Sequence, residues 1–193
     1  MRALLLSMLA LLLATGARAE GDLRPFDELK NLGERAAISR ALFVEIGKIL
    51  HHPRCANCHA ADGIPLQGEA GAPHQPLVKR GAKGEGVTAM RCISCHQTRN
   101  YEAAGIPGAA LWRAPEPDMQ LRDRPLAEIC RQWKDPKRTG DKDLKAIVKH
   151  LAEDPAVAWS WAPGGTRSTP PGSQRELARY AQAWVDTGAV CPE

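Results

Sequence analysis

Between Pro25 and Leu50 the apolar residues Leu29, Leu32, Ala36, Leu42, Phe43, Ile46, Ile49 and Leu50 recur at steps of three and four. That spacing gathers side chains on one face of an α-helix. Pro25 suits a first helical position, and Gly33 is the point at which the helix weakens or breaks. The pattern then stops. Residues 60–88 are rich in Gly and Pro, carry few large apolar side chains and cannot bury a core alone. A second irregular stretch, 97–123, contains Pro107, Pro115 and Pro117. Three short helices are expected after it. Pro125 to Trp133 places Leu126, Ile129, Cys130 and Trp133 on one side. Asp141 is a cap for a helix running to about Glu153, with Leu144, Ile147, Val148 and Leu151 as its stripe. Ser173 and Glu176 form a capping-box pattern for a helix through Asp186, with Leu177, Tyr180, Ala181, Trp184 and Val185 inward, and Gly188 is its stop. Strand alternation is nearly absent, so the expected class is mostly α with long Gly/Pro-rich loops, in a single domain over residues 20–193.

The first residues read differently. Met1-Arg2 is a short positive start, Ala3 to Ala14 is an almost unbroken apolar run, and Ala17-Arg18-Ala19 supplies small residues where a signal peptidase cuts. Residues 1–19 are therefore expected to be a signal peptide that exports the chain to the periplasm. The apolar run is shorter than the roughly 20 residues of a membrane span, so no integral membrane span is expected in the mature chain. Loss of residues 1–19 removes Arg2 and Arg18 and no acid, taking the formal charge from +4 to +2. That mixed, near-neutral surface gives no reason to expect a nucleic-acid partner.

All six cysteines follow that segment, and four of them stand in two CxxCH motifs, Cys55-Ala56-Asn57-Cys58-His59 and Cys92-Ile93-Ser94-Cys95-His96. Two cysteines three apart at the start of a helical turn reach the two vinyl groups of one haem. The next residue then turns its imidazole to the iron. A zinc site wants four thiolates or imidazoles in a tetrahedron. The 33 residues between Cys58 and Cys92 exceed the zinc-ribbon gap of roughly 15–20. Zinc also gives no reason for a histidine after each second cysteine. With His at 6 of 193 positions, two such placements by chance have odds of about one in a thousand. A thioredoxin-like dithiol would follow a strand in a βαβ pattern, and none precedes either motif. The expectation is two covalent haem c groups, with His59 and His96 as proximal iron ligands, enclosed by cytochrome c-like helices and the Gly/Pro-rich loops. A haem's apolar faces would replace the hydrophobic side chains that those loops lack and that an aromatic content of 5% does not supply. The remaining cysteines, Cys130 and Cys191, make one disulfide in an oxidising compartment, the alternative being two free thiols.

Each iron has a sixth position, filled or open. The candidate distal ligands are His74 in Pro73-His74-Gln75-Pro76, Met119 at the end of Ala114-Pro115-Glu116-Pro117-Asp118-Met119, and His150 beside the apolar stripe of its helix. A surface histidine, a packed methionine and a core-flanking histidine are the ordinary alternatives. Met90 is too near Cys92 to fold back on its own haem, and His51 and His52 read as structural. Methionine raises a haem's potential relative to histidine, and an empty position opens ligand chemistry. All five tryptophans lie beyond residue 111. The pair in Trp159-Ser160-Trp161 is read as packing, with haem shielding or electron conduction as the alternative.

Several stretches resemble a family of bacterial proteins often labelled isoquinoline 1-oxidoreductase subunit, which are small dihaem c-type cytochromes. They are His52-Pro53-Arg54-Cys55-Ala56-Asn57-Cys58-His59, Pro73-His74, Met90-Arg91-Cys92-Ile93-Ser94-Cys95-His96, Glu128-Ile129-Cys130-Arg131-Gln132-Trp133-Lys134-Asp135-Pro136 and Trp159-Ser160-Trp161-Ala162-Pro163-Gly164. The resemblance implies a redox partner, a periplasmic molybdenum hydroxylase. With no molybdopterin or flavin motif of its own, this chain would be only the electron acceptor. The expected function is thus periplasmic electron transfer between an oxidoreductase and a respiratory chain. A small dihaem enzyme of peroxidase type is the alternative, and a haem-based sensor would need an output domain that this length does not hold.

Overall fold

The expected first helix is two. Phe26–Lys30 (α1) and Arg35–Leu50 (α2) are separated by a turn in which Gly33 takes φ +82°, a left-handed conformation that glycine adopts without steric cost. The computed structural model describes residues 21–193; the signal-peptide assignment to residues 1–19 lies outside them. The remaining helices are Pro53–Ala56 (α3), Leu126–Trp133 (α4), Pro136–Thr139 (α5), Leu144–Glu153 (α6), Pro155–Trp159 (α7) and Gln174–Asp186 (α8). Helices take 43% and strands 9% of the described residues, so helix is the main regular structure. Among the described residues no helix is long and apolar enough to cross a membrane.

The strands correct the expectation of a nearly strand-free chain. Leu66–Gln67 (β1) pairs with Ala72–Pro73 (β2), Gly86–Val87 (β3) with Met90–Arg91 (β4), and Arg99–Tyr101 (β5) with Ile106–Ala109 (β6), all antiparallel. At two to four residues each they are too short for period-two alternation to register. They organise the Gly/Pro-rich stretches into small hairpins. The β3–β4 hairpin delivers Arg91 directly before Cys92.

The helical boundaries follow from capping. Ser173 Oγ accepts the Glu176 N–H (3.2 Å) and donates to the Glu176 carboxylate (2.8 Å), starting α8 where the capping box predicts. For α6 the cap is Asp143 rather than Asp141. Gly140 and Asp141 both take positive φ, so the chain is still turning at Asp141. Asp143 is extended, and its carboxylate accepts from Ala146 N at 2.7 Å.

Helix α8 packs against α2 and α6. At their centre Phe43 meets Trp184 (ring centres 4.9 Å apart) and Trp133 (5.3 Å). Leu42, Ile46, Ile49, Ile129, Leu177 and Trp184 have essentially no exposure. Cys130 on α4 is disulfide-bonded to Cys191, with Cα atoms 5.6 Å apart. Ser39, fully buried on α2, ties the C-terminal tail to this core. Its hydroxyl donates to Trp184 O (3.3 Å) and accepts from Val190 N (2.9 Å). Ser39→Ala leaves the Val190 N–H without that partner. The expected cost is about 2 kcal/mol, or a fall in Tm of roughly 4–8 °C. A thermal melt checks it, and an unchanged Tm would show that the contact contributes nothing.

Candidate cofactor site

Helix α2 ends at His51, and the chain turns directly into α3, whose Pro53 occupies the first position and whose cap is His52. His52 Nδ1 accepts the Arg54 N–H at 3.2 Å. The helical hydrogen bonding continues past α3, with His59 N donating to Cys55 O at 3.1 Å. One turn of backbone therefore carries Cys55, Cys58 and His59, and all three line a cavity of about 330 Å³. Core residues Leu50, Leu121, Trp133, Ile147, Leu151 and Leu177 form its apolar wall, and Arg54, Lys83, Arg113, Glu116, Lys142 and Asp154 line the rest. The volume lies in the range of small-molecule and cofactor sites, about 300–1,000 Å³.

The His59 ring is oriented from behind: Nδ1 is 2.8 Å from Met119 O. A carbonyl can only accept, so Nδ1 carries the proton and Nε2 is left as the metal-binding nitrogen. Burial lowers the His59 pKa to about 4, with the nearby charge of His150 adding to the effect; the ring is neutral at neutral pH. Burial also pushes the Cys55 thiol up to about 12, helped by neighbouring Cys58, and the Cys58 thiol to about 11. The partial exposure of these groups is to the cavity, with protein around them. Protonated thiols do not suit a dithiol nucleophile, which needs a depressed pKa.

The second motif repeats the local geometry in an open setting. Residues Cys92–Ser94 form a 3₁₀ turn, and His96 N donates to Cys92 O at 2.9 Å. His96 Nδ1 is 2.8 Å from Pro107 O on β6, the same device as at His59. Cys92 is half-buried and Cys95 exposed. Trp112 stacks on the His96 ring (4.7 Å, 8° between planes), and Trp159 meets Trp112 edge-on at 5.1 Å. Trp159 Nε1 donates to Asn100 Oδ1 (2.9 Å), which also accepts from Gly108 N. Trp159 is thus packed into the second motif's surroundings.

Of the three candidate distal residues, His74 is brought to the second motif, its ring centre 5.9 Å from that of His96. Its Nδ1 lies 2.8 Å from Pro76 O. His150, on α6, lines the cavity of the first motif, with Nδ1 3.2 Å from Asp154 Oδ2. Met119 lines the same cavity and packs against the core, while its backbone carbonyl holds His59. His51 and His52 use Nε2 elsewhere, against Arg124 O (3.1 Å) and Ser168 Oγ (3.2 Å).

Two residues that the periodicities do not single out also belong here. Trp112 is one; its short, proline-flanked segment carries no pattern. Arg54 is the other. Its side chain is 5% exposed, lines the cavity and reaches the Glu69 carboxylate at 2.6 Å. Among the described residues, Arg54 Nε is a buried side-chain nitrogen with no hydrogen-bond partner. The repeated arginine before each motif, Arg54 and Arg91, is its trace in the sequence.

This donor set fits a covalent haem: paired thiols on a helical turn, an adjacent imidazole with its tautomer fixed, an apolar wall, and an orphaned guanidinium nitrogen able to meet a further carboxylate. Among the described residues, no three His, Cys, Asp or Glu side chains gather into a cluster of the kind that holds a bare ion. No family model, no curated protein and no solved structure matches this chain.

Proposed function

We propose that the chain is an exported electron-transfer protein holding two covalent haem c groups, one on Cys55, Cys58 and His59 and the other on Cys92, Cys95 and His96. One observation carries the reading. Both CxxCH histidines have Nδ1 fixed on a backbone carbonyl at 2.8 Å, Met119 O for His59 and Pro107 O for His96. A hydrogen bond on one ring nitrogen is how proteins orient the other toward a metal and set its basicity. Two motifs 37 residues apart, one beside the core and one in an open setting, share that device.

When bound, haem iron supplies reversible one-electron redox chemistry. No atom is transferred, so the chain's work is to hold and tune. Cys55, Cys58, Cys92 and Cys95 anchor, and His59 and His96 ligate. The apolar wall from Leu50 to Leu177 offers the cofactor's faces a hydrophobic surface, and Arg54 neutralises a carboxylate. The export signal and the family resemblance support a periplasmic oxidoreductase as donor, a molybdenum hydroxylase among them, and another redox protein as acceptor.

A second reading, a small dihaem enzyme of peroxidase type, draws on the His150–Asp154 pair at the cavity, which has the composition of an acid–base group. A spectroelectrochemical titration, together with a peroxide assay using a reduced dye, separates the two. The electron carrier is expected to give two reversible one-electron steps and no turnover. Peroxide turnover that His150→Ala abolishes would overturn the proposal.

A further inference from the structure

Two of the six histidines have Nε2 engaged. His51 has Nε2 against Arg124 O, and His52 has Nε2 against Ser168 Oγ while its Nδ1 accepts the Arg54 N–H. His59, His74, His96 and His150 instead have Nδ1 occupied, by Met119 O, Pro76 O, Pro107 O and Asp154 Oδ2. Among the described residues, no hydrogen bond engages the Nε2 of any of these four. Each therefore has Nδ1 held by an oxygen, the contact that turns a histidine's Nε2 toward a metal. They also come in two pairs, His74 with His96 and His150 with His59.

The distance between His74 and His96 fits one metal between them. Two imidazoles bound to one metal through Nε2 at about 2 Å each have ring centres roughly 6 Å apart. His74 and His96 stand at 5.9 Å. His150 and His59 line one cavity, His150 from α6 and His59 from the turn after α3. Met119 fails the same test. Its carbonyl is bonded to the Nδ1 side of His59, so its backbone stands behind the proximal ring, whereas a sixth ligand must arrive from the opposite face of the porphyrin.

Resting on the dihaem reading above, we infer that His150 and His74 are the sixth ligands, making both irons bis-histidine, while Met119 is a proximal strap. Both sites are then closed. The potentials are lower than histidine–methionine ligation would give, and no position is open for peroxide.

The test is electron paramagnetic resonance and near-infrared magnetic circular dichroism of the oxidised full chain, produced with the haem-attachment machinery. Two low-spin bis-histidine signals are expected in the unaltered protein. His150→Ala should turn one haem high-spin and His74→Ala the other. His74→Met should move one reduction step to higher potential. A methionine-to-iron band that Met119→Leu removes, or a high-spin iron in the unaltered protein, would overturn the assignment. The unaltered protein alone therefore decides it if a variant fails to fold. Intact mass is read on the same samples: two attached haems with the wrong ligands would sink this inference only, and no attached haem would sink the reading beneath it.

Discussion

Replacing Cys55 and Cys58 by alanine is expected to remove one haem and to lower the melting temperature by 10 °C or more, far beyond the effect of the same change at Cys92 and Cys95. The asymmetry comes from where each motif stands. The first opens into a cavity of about 330 Å³ whose walls, Leu50, Leu121, Trp133, Ile147, Leu151 and Leu177, also belong to the hydrophobic core. An unfilled cavity costs about 24 cal/mol per Å³. The upper limit is therefore roughly 8 kcal/mol, and partial collapse of the walls reduces it. At roughly 2–4 °C per kcal/mol for a chain of this size, even half of that is a large shift. Cys92 and Cys95 do not line that cavity, and Cys95 is exposed. Losing the second haem should loosen the hairpins around it and leave the α2–α6–α8 packing intact, with Tm moving by a few degrees. Calorimetry with intact mass on both double variants checks this. Equal falls in Tm would contradict the placement of the first haem in the core.

Cys130→Ala with Cys191→Ala should destabilise the protein by about 4 kcal/mol while leaving both haem spectra unchanged. The two residues are 61 apart in sequence, and closing a loop of that length is worth about 4 kcal/mol in the chain-entropy model. The tail keeps other ties. Trp184 Nε1 donates to Val190 O (3.0 Å) and Lys134 Nζ to Ala189 O (3.0 Å), so the variant should fold and unfold at lower denaturant rather than lose its C-terminus. Neither cysteine lines the cavity at the first motif. Urea unfolding, with the Soret region recorded alongside, measures both parts. Loss of a haem signal in this variant would show that the disulfide and the cofactor sites are coupled.

How far the sequence speaks depends on how local the determinant is. Helix α8 was legible because Ser173, Glu176 and the Leu177–Tyr180–Trp184 stripe lie within its own residues. The disulfide followed from counting, since Cys130 and Cys191 were the two thiols outside the motifs. The cap of α6 slipped by two residues because Asp141 and Asp143 offer the same chemistry; only the left-handed turn at Gly140 and Asp141 separates them. The break between α1 and α2 was marked by Gly33. The hairpins were invisible because strands of two to four residues carry too little period to register. At the site, each CxxCH is contiguous and could be read directly. The carbonyls behind His59 and His96 come from Met119 and Pro107, which no spacing links to them. Arg54 and Trp112 are defined by what they touch, so they emerge only in three dimensions.

The most direct test of the central claim is the intact mass of the exported protein, produced where haem can be attached. The account predicts a chain cut near Glu20 and heavier by two haems, with each attached group mapping to one CxxCH peptide after digestion. A mass equal to the bare polypeptide would contradict it.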